Sequence, residues 1–186
     1  MQLLNTYIAI LRGINVSGKK LIKMDSLREM LISLGFESVK TYIQSGNVVF
    51  RAVSISTCEL ESIISKAINE TYSFDVPVIV LDLSEIAILL EQNPMKLDYA
   101  NELDKLHITL LSEEPDPANL VSLNNIDLST DKFIIINKAI YLYCPNGYGN
   151  TKLNNNFFEK KLKVNATTRN LKTMTALLEL GSSINH

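Results

Sequence analysis

The sequence predicts an α+β protein in which one order of elements runs twice along the chain: strand, helix, strand, strand, helix, strand, then an extra helix. Three observations carry that expectation. Short apolar runs of strand length alternate with longer segments whose apolar residues recur every three or four positions. Polar dipeptides, Ser45-Gly46 and Asn137-Lys138, stand between paired β-type runs as hairpin connections do. The order read over residues 1–94 returns over residues 104–186, without evident sequence identity between the two stretches.

Residues 5–11 form the first strand, in which Tyr7-Ile8-Ala9-Ile10-Leu11 is apolar on both alternating faces and therefore calls for burial on both. The basic loop Arg12-Gly13-Ile14-Asn15-Val16-Ser17-Gly18-Lys19-Lys20 follows, and a helix begins near Met24 or Asp25. Leu27, Met30, Leu31 and Leu34 give that helix an apolar stripe, and Gly35 sits where it would be capped. Residues 39–44 and 47–52 are the strands of the first hairpin. Ser56-Thr57-Cys58-Glu59 is a capping box, and the helix behind it buries Leu60, Ile63, Ile64, Ala67 and Ile68. Residues 76–81 make the fourth strand, and residues 84–92 a further helix that stops at Asn93-Pro94.

Residues 95–103, polar and Tyr-containing, read as a linker. Beyond it, residues 105–111 are a strand, 115–123 a short helix with two early prolines, and 133–136 with 139–144 a hairpin. Residues 152–162 read as a helix, 164–167 as a short strand, and 171–180 as a last helix stopped by Gly181. This is the split βαβ order of ferredoxin-like domains, so the fold expected is two tandem ferredoxin-like halves, residues 1–94 and 104–186. A sheet of that kind carries helices on one side only; its other apolar side needs a cover, and the partner half is the expected one.

Composition narrows the function classes. With 46% apolar and 20% charged residues the chain is an ordinary globular protein. Pro77, Asp82, Ser84 and Glu85 interrupt the apolar stretch 76–90, so no membrane partner is expected. The opening Met1-Gln2-Leu3-Leu4-Asn5-Thr6 lacks a basic region and a cleavage site, which gives a cytoplasmic expectation. Cys58 and Cys144 read as reduced core thiols, and His107 with His186 makes no zinc cluster, so no metal or cofactor is expected. The net charge of −2 conceals a segregation: residues 12–51 hold seven basic and three acidic side chains, residues 138–172 seven and one, and the remainder four and sixteen. Such polarity draws an anion to the basic segments, provided they meet in space.

The loops of those segments are the candidate site. Gly13 and Gly18 permit positive φ, while Arg12, Lys19, Lys20 and Lys23 crowd cationic donors in front of a helix start, an arrangement suited to phosphate or carboxylate. Gly18-Lys19-Lys20 lacks the hydroxyl of a P-loop. Gln44, Ser45 and Asn47 concentrate amides and a hydroxyl at the hairpin, and Tyr148-Gly149-Asn150-Thr151-Lys152 is the counterpart in the second half, a second candidate helix-start anion site. Asn154-Asn155-Asn156 reads as cap and first-turn chemistry; Arg169 lies between a strand and the last helix, which Thr168 or Asn170 would cap. The same residue types also serve ordinary solvated turns.

Tyr7-Ile8-Ala9-Ile10-Leu11-Arg12-Gly13-Ile14-Asn15-Val16-Ser17-Gly18-Lys19, Ile22-Lys23-Met24, Gly35-Phe36 and Thr41-Tyr42-Ile43-Gln44-Ser45-Gly46-Asn47-Val48-Val49-Phe50 resemble the N-terminal signature of the bacterial family called domain of unknown function 1697. Tyr148-Gly149, Lys152-Leu153, Phe157-Phe158-Glu159-Lys160-Lys161-Leu162 and Ala166-Thr167-Thr168-Arg169-Asn170 resemble its C-terminal signature. Ser17 stands where the family commonly has glycine. The resemblance spans nearly the whole chain and implies the tandem ferredoxin-like architecture; it carries no established activity to this sequence.

The ligand-binding set expected is Arg12, Asn15, Lys19, Lys23, Gln44, Ser45, Asn47, Tyr148, Lys152, Arg169 and Asn170, holding a phosphorylated or otherwise anionic small molecule between the two halves. No His, Cys or paired carboxylate lies in these motifs, so the reading is binding, with no catalytic residue named. Two alternatives stand beside it. One is nucleic-acid binding, suggested by the likeness of ferredoxin-like sheets to RNA-recognition motifs, although Gly46-Asn47-Val48-Val49-Phe50 lacks their ladder of aromatics. The other is a homo-oligomeric interaction scaffold; the chain is expected as a monomer or a homodimer.

Overall fold

The computed structural model describes residues 3–124, 126, 128 and 130–184; His186 and the first two residues of the leader reading lie outside them. The chain divides into one unit of Met1–Ala87 with Ala176–His186 and a second of Ile88–Thr175. The first half supplies β1 (Leu4–Leu11), α1 (Met24–Ser33), β2 (Glu37–Tyr42), β3 (Asn47–Val53), α2 (Thr57–Tyr72), β4 (Val78–Asp82) and α3 (Leu83–Glu91). The second supplies β5 (Leu106–Leu111), α4 (Pro117–Leu120), β6 (Lys132–Ile136), β7 (Ala139–Tyr143), α5 (Asn155–Leu162), β8 (Ala166–Asn170) and α6 (Leu171–Ser183). Two antiparallel sheets result, ordered β2-β3-β1-β4 and β6-β7-β5-β8. These are tandem ferredoxin-like halves.

In the first unit β1 is central and buried throughout its second half, as a strand apolar on both faces must be. Tyr7, Ala9 and Leu11 join Leu27 and Leu31 of α1 and Leu60, Ile64 and Ile68 of α2 in one core, where Phe36 stacks on Phe50 at 4.6 Å. Gly35, at φ +85, ends α1, and the Phe36 amide donates back to the Leu31 carbonyl at 3.4 Å. Ser56 caps α2 by accepting from the Glu59 amide at 3.2 Å. In the second unit Ile140 and Leu142 of β7 pack with Leu153, Phe158 and Leu162. Its polar strand β8 is held to β5 partly by hydroxyls, Thr109 and Thr168 lying 2.6 Å apart.

Several boundaries differ from the sequence reading for identifiable reasons. The helix expected over 152–162 begins at Asn155, because Leu153 is fully buried ahead of it in irregular backbone and Asn154 caps the helix, accepting from the Phe157 amide at 3.0 Å. The strand expected over 164–167 runs instead over Ala166–Asn170, so Arg169 lies within β8, opposite Ile108. Only Pro117–Leu120 of the stretch 115–123 is α-helical, with a 3-10 turn over Val121–Leu123. Gly181 does not stop α6, which continues to Ser183. Its missing side chain serves packing: a Cβ there would stand 2.5 Å from Leu83 Cδ1 and within 3.7 Å of Thr6 and Val49. Cys58 is exposed rather than in the core, since it lies off the stripe that α2 buries, whereas Cys144 is buried. No helix among the described residues is long and apolar enough to cross a membrane.

Candidate functional site

The basic loop of the first unit is a folded object. Val16 and Lys19 form a bridge, with the Lys19 amide on the Val16 carbonyl at 3.0 Å, and the residues between them, Ser17 and Gly18, have φ +50 and +72. Positive φ at both central positions is the signature of a type I′ turn, which favours glycine and tolerates serine at a cost. Ser17 thus holds a left-handed backbone that glycine enters more readily. Lys20 reaches the Asp75 carbonyl with its ammonium group, and the Arg12 amide donates to Pro77 at 2.9 Å, tying the loop to the segment before β4.

Asn15 staples this loop to the hairpin. Its Nδ2 donates to the carbonyls of Ile22 and Gln44, both at 2.9 Å, and its Oδ1 accepts from the Ile22 amide at 2.8 Å. Asn47, fully buried, donates from Nδ2 to the Tyr42 carbonyl at 3.1 Å and to Ser45 Oγ at 2.9 Å, which shapes the turn at residues 43–46. Gly46 completes the junction: its φ is +78, its carbonyl accepts from the Leu11 amide at 2.8 Å, and a Cβ on it would lie 2.7 Å from Leu11 Cβ. The Asn15 amide therefore holds the basic loop to the hairpin, while the Asn47 amide braces the turn within the hairpin itself.

Where the loops meet, α1 begins. Lys23 occupies its N-cap position in extended backbone and makes no side-chain cap, so the first-turn amides lack the usual side-chain acceptor. Lys23, Met24 and Asp25 of this helix start line a cavity of about 470 Å³, together with Arg28, Thr41, Ile43 and Gln44. Arg28 donates to Thr41 Oγ1 at 2.7 Å and is ion-paired with Asp25, while Lys23 is exposed on the rim and, among the described residues, makes no ion pair. Charge and helix dipole both favour an anion there, and Asp25 opposes one. Ile43 forms an apolar lip; it is half exposed and holds φ +50, a conformation that β-branched residues resist.

The structure thus brings Asn15, Lys23, Gln44, Ser45 and Asn47 into one loop cluster; Arg12 enters the basic loop with its amide on the Pro77 carbonyl, and Lys19 lies in the exposed turn. Tyr148, Lys152, Arg169 and Asn170 belong to the second unit. There Tyr148 stacks on His107 at 5.0 Å, and Asn170, paired in register with His107, caps α6 by accepting from the Thr173 amide at 2.8 Å. Arg169 donates to Thr167 Oγ1 and to the Thr168 carbonyl, and Lys152 is exposed three residues before the capped start of α5. Burial lowers the pKa of His107, whose Nδ1 lies 3.1 Å from the Lys105 carbonyl. Sequence reasoning missed Arg28, Thr41 and Ile43. The signal for Arg28 was its place one turn into the helix after the basic loop; nothing in the sequence pointed Thr41 and Ile43 at that helix start.

The family model described as protein of unknown function (DUF1697) matches residues 4–141, ending before Tyr148 and the other second-half candidates. No curated protein matches the chain. Among solved structures, the conserved bacterial protein SP0830 from Streptococcus pneumoniae has a TM-score of 0.77 over 97% of this chain and 99% of its own, at 24% identity, a likeness of fold.

Proposed function

We propose a function for a chain that belongs to the family described as protein of unknown function (DUF1697): it binds a phosphorylated or otherwise anionic small molecule in the loop cluster of its first unit. One observation carries this reading. The N-terminus of α1 has a lysine where a capping acceptor usually stands, and it faces a cavity whose other polar lining includes Arg28, Thr41 and Gln44. A bound anion supplies the missing acceptor to the first-turn amides, and Lys23 and Arg28 contribute charge-assisted bonds of about 1.5–3 kcal/mol each before the cost of separating Arg28 from Asp25. Asn15, Asn47 and Gly46 pre-organise the two loops, and Ile43 offers an apolar contact to the rest of the ligand.

The test is thermal denaturation against inorganic phosphate, sugar phosphates and nucleotides. Binding to the native state alone stabilises it by RT ln(1 + [L]/Kd), about 2.7 kcal/mol at a hundredfold excess over Kd. A rise in Tm that is lost in Lys23→Glu and enlarged in Asp25→Asn supports the reading. A Tm indifferent to every anion, or a rise unchanged by both substitutions, rejects it.

A further inference from the structure

We propose that the second unit carries a docking cleft for an extended basic peptide. The cleft, about 650 Å³, lies among the segment 113–120, the end of β6 and the end of α5. Its floor is apolar, made by Pro115, Leu120, Ile135, Leu162 and Val164, and its rim is acidic. Glu113 and Glu114 are exposed and, among the described residues, make no ion pair and no hydrogen bond. The third rim carboxylate, Asp116, is partly used as the cap of α4, accepting from the Ala118 amide at 2.8 Å. Lys163 also lines the cleft, and the balance of charge stays negative.

The walls are built before any partner arrives. The Ser112 amide donates to the Asn165 carbonyl at 2.9 Å, and the Asn165 amide returns a bond to Ser112 Oγ at 3.1 Å, rooting the acidic segment. Asn119 ties α4 to the Leu162 carbonyl at 3.2 Å. A preformed cleft of this size spends little ordering entropy on its ligand. Charge complementarity selects a cation, and the apolar floor selects one carried on hydrocarbon, as the stems of lysine and arginine are. β6 adds the third feature: among the described residues it is an edge strand paired with β7 alone, so an extended backbone laid beside its other edge finds strand groups to pair with. A polypeptide offers all three partners at once, and a small polyamine offers only the charge.

The experiment is fluorescence anisotropy of a short labelled peptide alternating valine or leucine with lysine and arginine, titrated with the full chain. Saturable binding is expected, weakened about tenfold or more in the Glu113→Gln/Glu114→Gln variant and by raised salt. Both side chains are exposed, and circular dichroism of the variant checks that the fold is kept. The proposal is overturned by equal binding to the double variant or by no binding at millimolar protein. It is overturned as well if spermidine, or a peptide with glycine and serine in place of the apolar residues, competes as well as the peptide itself.

Discussion

Gly46→Ala is the substitution that probes the junction of the two loops most sharply. The new methyl group meets Leu11 Cβ at 2.7 Å and Ile14 Cδ1 at 2.8 Å, and both partners are buried side chains with almost no exposure. One of those contacts is the root of a central-strand side chain, which cannot swing aside. The backbone adds a second cost, because φ at Gly46 is +78 and an L-residue held there loses roughly 1–2 kcal/mol. Overpacking of a filled core costs about 1–3 kcal/mol more, so the two together remove about 2–5 kcal/mol from a domain whose whole stability is of order 5–15 kcal/mol. Urea denaturation followed by tyrosine fluorescence measures this as a lower midpoint at unchanged m-value. Gly13→Ala and Gly18→Ala are the controls: φ is +71 and +72, yet a Cβ at either finds nothing within 4 Å, so only the backbone cost of about 1–2 kcal/mol applies. If Gly46→Ala costs no more than these controls, the close packing of the hairpin on Leu11 and Ile14 is wrong.

Other outcomes follow from the same structure. Ser17→Gly should raise stability by about 1 kcal/mol in urea denaturation, since Ser17 holds φ +50 in a turn that glycine enters without strain. His107 should make the fold acid-sensitive: burial holds its folded pKa below the ordinary 6.5, so below that pH the unfolded chain takes up the proton first and stability falls until the folded pKa is reached. The part of the pH dependence of the urea midpoint that vanishes in His107→Gln measures it, at ~1.4 kcal/mol per unit of separation. A thiol reagent at neutral pH should modify Cys58 alone in the native protein, because Cys58 is exposed while burial pushes the Cys144 thiol up to about 11; mass spectrometry after partial labelling reads the site.

Much of the architecture was legible because its cause is local. Period-two and period-3.6 patterns, the Ser56 cap and the Gly35 stop each act within a few residues, and all reappear in place. Elements misjudged in the sequence were those decided by distant packing. Gly181 reads as a stop from its neighbours and turns out to be a close approach to Leu83. Thr168-Arg169-Asn170 reads as the connection between a short strand and the last helix, yet pairing with β5 and the Thr109 hydroxyl carries the strand through Asn170. At the candidate site the sequence named the loops, while the hydrogen bonds within them depend on residues brought together by the fold. Asn15 and Asn47 look like ligand donors, but the fold gives their amides the carbonyls of Ile22, Gln44 and Tyr42 and the Ser45 hydroxyl as partners. Arg28, buried in meaning among ordinary helix charges, acquires its place from Thr41 across the hairpin.

The central claim, an anion seat at the start of α1, is tested most directly by amide-resolved NMR of the labelled protein titrated with inorganic phosphate. The account predicts saturable shifts concentrated on the amides of Met24, Asp25 and Ser26 and on Gln44, abolished in Lys23→Glu while the spectrum otherwise stays that of the parent. Shifts scattered over unrelated lysine-rich surfaces, or none at these amides, would contradict it.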